Sequence, residues 1–198
     1  MKKGLVLAGP DVPVGPLALL TGTFEERLKK AAGLGFDGIE LMVREPQKLD
    51  WNGIQQQISE EGLEISQIVT GELYGVDGLC LVTSDMNLFR RSFERTRQVI
   101  DMAAHLGTMV NIGRLRGQLK FLGDIQDPWS VAVERLYRVI AYAEEKNVRI
   151  TLEPVNRYES DFINNAADGM KLVRDMGLPN LGLMLDLFHM NIEDPVIE

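Results

Sequence analysis

Two acids and a histidine have the types and spacing that metal-assisted proton chemistry needs. In residues 148–159, VRITLEPVNRYE, Val148, Ile150 and Leu152 alternate with Arg149, Thr151 and Glu153. A period of two is that of a strand, and it puts Thr151 and Glu153 on one face. Pro154 removes a backbone donor, which suits the end of a strand. Glu153 therefore stands where the strand runs out, followed at once by Asn156, Arg157 and Glu159. In parallel α/β proteins that end of the strand is where ligands bind. In residues 181–191, LGLMLDLFHMN, a second apolar run leads into Asp186, with His189 three residues on. A helical segment over 165–176, stopped by Gly177, separates the two runs. Strand, helix, strand is a unit whose strands are parallel and adjacent. Neighbouring strands lie roughly 4.8 Å apart. Glu153 and Asp186 can then share one divalent cation through oxygen contacts of about 2.0–2.5 Å. The competing reading makes Glu153 a structural ion-pair partner. His189 is either a ligand or a loop cap, and Arg114 and Arg116 face either a substrate phosphate or solvent.

These residues need a scaffold of alternating strands and helices, and the rest of the chain supplies its signals. Strands are predicted over 4–8, 38–43, 63–70 and 109–113, before those that carry Glu153 and Asp186. Thr23 with Glu26 forms a capping box for a helix reaching about Leu34, with Leu28 and Ala32 on its inner side. Asp50 caps a helix that ends before Gly62. An amphipathic helix spans 87–106, with Leu88, Phe93, Ile100 and Ala103 as core candidates. Asp127-Pro128 opens another that runs to Lys146. Pro/Gly-rich loops are predicted from Gly9 to Gly22 and over 71–85. Glu40, inside the second strand, is read as a buried ion-pair member, and His105 as a partner of a helix C-terminal dipole. Six strands alternating with five helices make one α/β domain over residues 1–198. The first turn reads AGPDVPVG and carries no dinucleotide fingerprint, and no phosphate-binding P-loop motif occurs. Acids at several strand ends favour a (β/α)₈ TIM barrel over an open doubly wound sheet.

Composition narrows the partners. The 198 residues carry a formal charge of −8, which disfavours nucleic-acid backbones. No run approaches the roughly 20 apolar residues of a membrane helix. The single cysteine, Cys80, lies in the apolar run GLCLV. It reads as a buried small hydrophobe and fits a reducing, cytoplasmic setting. The partners expected are a small-molecule substrate and a second copy of the chain, with neither nucleic acid nor membrane.

Three stretches carry a resemblance: GFDGIEL at 35–41, TLEPVNRYE at 151–159 and MLDLFHM at 184–190. On these the chain resembles the xylose isomerase-like TIM barrels, the sugar isomerase and epimerase group. That group includes tagatose/psicose 3-epimerases, hydroxypyruvate isomerases and inosose dehydratases. The resemblance implies that Glu153 is a metal ligand that also moves a substrate proton, and that Asp186 is a second ligand. It implies that Glu159 and His189 hold substrate oxygens; Arg116 is added as a substrate-binding candidate on its loop position. The implied cofactor is a divalent ion, Mn²⁺ or Mg²⁺ before Zn²⁺ or Co²⁺, and the implied substrate a ketose or related hydroxy-carbonyl compound. The family's remaining ligands come from strands seven and eight, so the resemblance implies a barrel that is incomplete at its C-terminus, with only six βα units. Asp194-Pro195 repeats the Asp127-Pro128 signal and is read as the start of a sixth helix. Two other functions remain: a degenerate or truncated sugar-binding barrel without activity, and an endonuclease IV-like nuclease. The nuclease shares the spacing of Asp186 and His189 but needs many histidines, and this chain has two.

Overall fold

Each strand pairs in parallel with its neighbour in sequence, so the sheet is laid down in chain order. The computed structural model describes residues 1–13 and 19–197. Its strands are β1 (Gly4–Ala8), β2 (Gly38–Met42), β3 (Glu64–Val69), β4 (Met109–Ile112), β5 (Ile150–Leu152) and β6 (Leu181–Leu183). They form one sheet in the order β1-β2-β3-β4-β5-β6, all parallel. The helices are α1 (Phe24–Gly33), α2 (Trp51–Glu60), α3 (Gly71–Gly75), α4 (Met86–Leu106), α5 (Pro128–Glu145), α6 (Ala166–Met176) and α7 (Leu187–Glu193). This is the α/β order of a TIM barrel, present as six βα units. Part of the Pro/Gly-rich loop expected before Gly22, residues 14–18, lies outside the described residues.

The caps fall where residue chemistry puts them. Thr23 and Glu26 form the reciprocal capping box of α1, and Asp50, Asp127 and Asn165 cap α2, α5 and α6 through their side chains. Asp85 caps α4. Gly177 ends α6 in the left-handed conformation at φ 62°, which costs glycine no Cβ clash. One face of each strand packs on the helices. Leu41, Ile68, Val110, Ile112, Ile150 and Leu152 are fully buried there, together with Leu28, Ile100 and Ala103. Leu88 and Phe93 are only partly buried against that core. Cys80 is buried, and burial pushes its thiol up to about 11, so it is a poor nucleophile.

The opposite face of the sheet is polar. Thr151 donates to Gln67 Oε1 at 3.0 Å, and Asn111 Nδ2 lies 3.5 Å from Thr151 Oγ1. Alternation along β5 carries that face to Glu153, whose backbone N–H still bonds Ile112 O at 3.0 Å.

Three sequence expectations change. The 71–85 stretch holds a short helix, α3, and is not loop throughout. His189 lies on a helix, because Asp186 is the N-cap of α7 and accepts the Phe188 N–H at 2.7 Å. Asp194-Pro195 opens no helix: Asp194 is the C-cap of α7, and residues 195–197 are not helical. Asp194 instead accepts the Ala166 N–H at 3.2 Å, at the start of α6. No helix among the described residues is long and apolar enough to cross a membrane.

Candidate active site

Glu153, Asp186 and His189 converge at the carboxyl ends of β5 and β6. One ligand atom from each lies within 4.8 Å of the others. They line a cavity of about 620 Å³ together with Glu40, Asn111, Arg114, Glu159 and Phe188. The spatial expectation for the two carboxylates therefore holds, and the helical turn that Asp186 caps swings His189 back towards Glu153. His189 Nε2 lies 3.6 Å from Glu153 Oε1.

The electrostatics of Glu153 follow from this crowding. Burial raises its carboxyl first, and the neighbouring Asp186 carboxylate adds to it. Glu40 and Glu159 raise it further, against a lowering by the Arg116 guanidinium, and the result is about 7. Among the described residues no protein donor bonds the Glu153 carboxylate. A buried anion without donors is costly. Two carboxylates with one such anion are a donor set that a hard divalent cation satisfies, and Mg²⁺ or Mn²⁺ fits oxygen ligands of this kind. Space for the carboxylate is kept by Gly113, where a Cβ would stand 2.6 Å from Glu153 Oε2.

The loop after β5 is built from polar residues that bond inward. Asn156 is 2% exposed. Its Oδ1 accepts the Tyr158 N–H at 3.0 Å, and its Nδ2 reaches His189 Nδ1 at 2.8 Å and Glu159 Oε1 at 3.3 Å. Arg157 ties the loop to the end of α7, donating from its backbone N–H and Nε to Glu193 Oε1 at 2.6 and 2.8 Å. Glu159 also faces Arg114, with 3.6 Å between Oε2 and Nη1.

Arg116 is where the sequence reading of a substrate-binding residue fails. Its side chain has no exposed surface. Nε donates to Phe162 O at 3.0 Å, Nη1 to Gly113 O at 2.9 Å and Glu153 O at 2.8 Å, and Nη2 to Phe162 O at 2.9 Å and Ile163 O at 3.0 Å. A guanidinium has five N–H donors, and all are taken by backbone carbonyls. Burial without a carboxylate in contact pulls it down to about 10. Arg116 is an internal clamp joining the loops after β4 and β5. Being on the right loop gave the sequence no means to distinguish it from Arg114, which does line the cavity.

Two further readings change. Glu40 lines the cavity and has no ion-pair partner among the described residues, so it is not the ion-pair member expected. The sequence marks Asn156 only as one of the polar residues after Glu153 and gives Gly113 no role, because their importance lies in contacts across loops. His105, in the last turn of α4 as expected, bonds Asn52 Oδ1 through Nε2 at 2.8 Å.

The comparisons with known proteins agree with this architecture. An L-ribulose 3-epimerase from Mesorhizobium japonicum is 31% identical over 173 residues, which cover 86% of this chain and 57% of that protein. A probable ketose 3-epimerase from Synechocystis is 27% identical over 176 residues, 87% of this chain and 60% of that one. The chain thus spans less than two thirds of the length of these relatives. A solved L-ribulose 3-epimerase superposes with a TM-score of 0.76 at 28% identity, covering 98% of this chain and 64% of the other. A D-psicose 3-epimerase solved with D-tagatose, from Clostridium cellulolyticum, gives 0.76 at 22% identity over the whole chain and 67% of its own, a likeness of fold. The family model described as xylose isomerase-like TIM barrel matches residues 28–198, and the chain belongs to that family.

Proposed function

We propose that this chain carries two metal ligands and a proton-transfer carboxylate of a ketose epimerase or isomerase. The observation that supports it most is the meeting of Glu153 and Asp186 beyond the ends of consecutive parallel strands, with Glu153 lacking a protein donor among the described residues. Glu153 and Asp186 would hold a divalent ion, Mn²⁺ or Mg²⁺ by their oxygen chemistry. When bound, such an ion polarises a substrate carbonyl and stabilises negative charge on its oxygen.

The chain's own residues would serve one side of the proton transfer. Glu153, whose carboxylate lines the cavity, is suited to take a proton from the carbon next to the carbonyl and give it up again. Its carboxylate lies within reach of the cavity while its backbone is fixed from behind by Arg116. His189 and Glu159 face the same cavity and are assigned to substrate oxygens. Their partners, Asn156 and Arg114, hold them in place. The product of proton removal would be an enediolate; return of the proton by Glu153 to the neighbouring carbon gives the isomer, and delivery from the opposite face, which gives the epimer, requires a second acid besides Glu153.

The test is proton exchange. The full-length protein, loaded with Mn²⁺ or Mg²⁺ and incubated with ketopentoses or ketohexoses in D₂O, is expected to introduce deuterium next to the carbonyl. Chelation of the metal should stop it. Binding of a ketose without exchange under any metal would support a non-catalytic sugar-binding barrel instead. The nuclease reading has less support, since the cavity presents one histidine among the described residues.

A further inference from the structure

We infer that Asn156 is a positioning residue that fixes the tautomer of His189, placing its ring proton on Nε2, so that His189 donates into the cavity and does not ligate the metal. The inference deepens the epimerase reading and rests on it for the role given to the donated hydrogen bond. It begins from the orientation of the Asn156 amide. Oδ1 accepts the Tyr158 N–H at 3.0 Å, while Nδ2 lies 3.3 Å from the Glu159 carboxylate. Exchanging the two amide atoms would set an N–H group against an N–H and an oxygen against a carboxylate. The two neighbours therefore fix the amide with its NH₂ group towards His189.

That NH₂ group lies 2.8 Å from His189 Nδ1, and the Asn156 backbone N–H points at the same nitrogen from 3.4 Å. Two donors aimed at one ring nitrogen require it to be the acceptor. In a neutral imidazole the other nitrogen then carries the hydrogen. Here that is Nε2, which faces Glu153 Oε1 at 3.6 Å and the cavity. Asn156 is 2% exposed and His189 8%, so water does not compete for these contacts.

The consequence separates the three clustered residues by role. A nitrogen that carries a hydrogen has no lone pair to give a cation. Glu153 and Asp186 remain as ligands, and His189 becomes a hydrogen-bond donor for a substrate oxygen.

The test reads the tautomer directly. The full-length protein is labelled with ¹⁵N in its histidine rings and recorded by long-range proton–nitrogen correlation, metal-free and loaded with diamagnetic Mg²⁺. The His189 signals are those lost in His189→Gln. The expected wild-type pattern is a bare Nδ1 and a protonated Nε2 in both states. Asn156→Asp offers an acceptor in place of the donor and is expected to put a proton on Nδ1, with kcat/KM falling about 10- to 100-fold, as for other residues that orient a site group. A wild-type His189 protonated on Nδ1 overturns the proposal. So does a folded Asn156→Asp protein that keeps the wild-type pattern. If that variant does not fold, Asn156→Leu, similar in size and without a donor, is read in its place. Loss of the pure Nε2–H form supports the role of Asn156, and its retention overturns it. Deuterium exchange into ketoses is assayed on the same wild-type sample. Exchange with a proton on Nδ1 sinks this inference alone, whereas the expected tautomer without exchange sinks the epimerase reading alone.

Discussion

Between about pH 4.5 and about 7 the folded chain holds a proton on Glu153 that the unfolded chain has already released, because burial and Asp186 raise the folded carboxyl to about 7. The unfolded state then binds fewer protons, so stability falls as pH rises through this window. At about 1.36 kcal/mol per unit, the loss is up to about 3 kcal/mol. Urea midpoints of the metal-free protein are therefore expected to be higher near pH 5 than near pH 7.5, by more than in Glu153→Gln. Equal pH dependence in the two proteins would show that Glu153 is not the group responsible. The same substitution removes both the base and an anionic ligand. It is expected to lower turnover about 10²- to 10⁴-fold while raising the melting temperature at pH 8, where the wild type must bury a charge. His189→Ala is expected to raise KM more than it lowers kcat, as read from steady-state kinetics with the best ketose.

At the scale of elements, what holds the site together is buried polar chemistry between loops. Replacing Arg116 with Met leaves the carbonyls of Gly113, Glu153, Phe162 and Ile163 without this donor. The carbonyls of Gly113, Ile163 and Phe162 keep other donors, the backbone N–H of residue 116, the Val155 N–H and Ser160 Oγ, whereas Glu153 O loses its donor. An unpaired buried acceptor costs about 1–3 kcal/mol, so denaturant melts should show a loss of about that size, with Arg116→Lys in between. Gly113→Ala acts differently. Its Cβ would stand 2.6 Å from Glu153 Oε2 and must displace that carboxylate. Turnover is expected to fall about 10²-fold, with metal affinity by calorimetry reduced alongside it. Much of this level was legible in the chain. Period-two alternation placed Glu153 on the cavity side of its strand, and side-chain caps marked the starts of α1, α2 and α5. Helix α7 escaped because Asp186, weighed only as a ligand, is also its cap, and one carboxylate can do both with different oxygens. Arg116 escaped because burial of a cation inside loops is set by folded carbonyl positions that no spacing encodes.

At the scale of the whole molecule, β1 and β6 form the two ends of the six-stranded sheet and have no further strand partner among the described residues. Strand edges with free N–H and C=O groups pair with other strands when these are offered. The 198-residue chain on its own is expected to self-associate with concentration, seen as a rising sedimentation coefficient in the micromolar range. A concentration-independent monomer would show that the edges are protected. The strictly sequential strand order has a separate consequence, for synthesis. A domain whose strands pair only with the one before can add each βα unit as it leaves the ribosome. Arg116 makes one of the links that must wait. Its partners Phe162 and Ile163 follow it by 46 and 47 residues, so on the nascent chain the guanidinium stays hydrated until the loop after β5 emerges. Locking of that loop, and with it the placing of Glu153, then follows formation of the β1–β4 sheet, and a ribosome stalled near residue 150 should carry an ordered β1–β4 sheet with no cation-binding capacity.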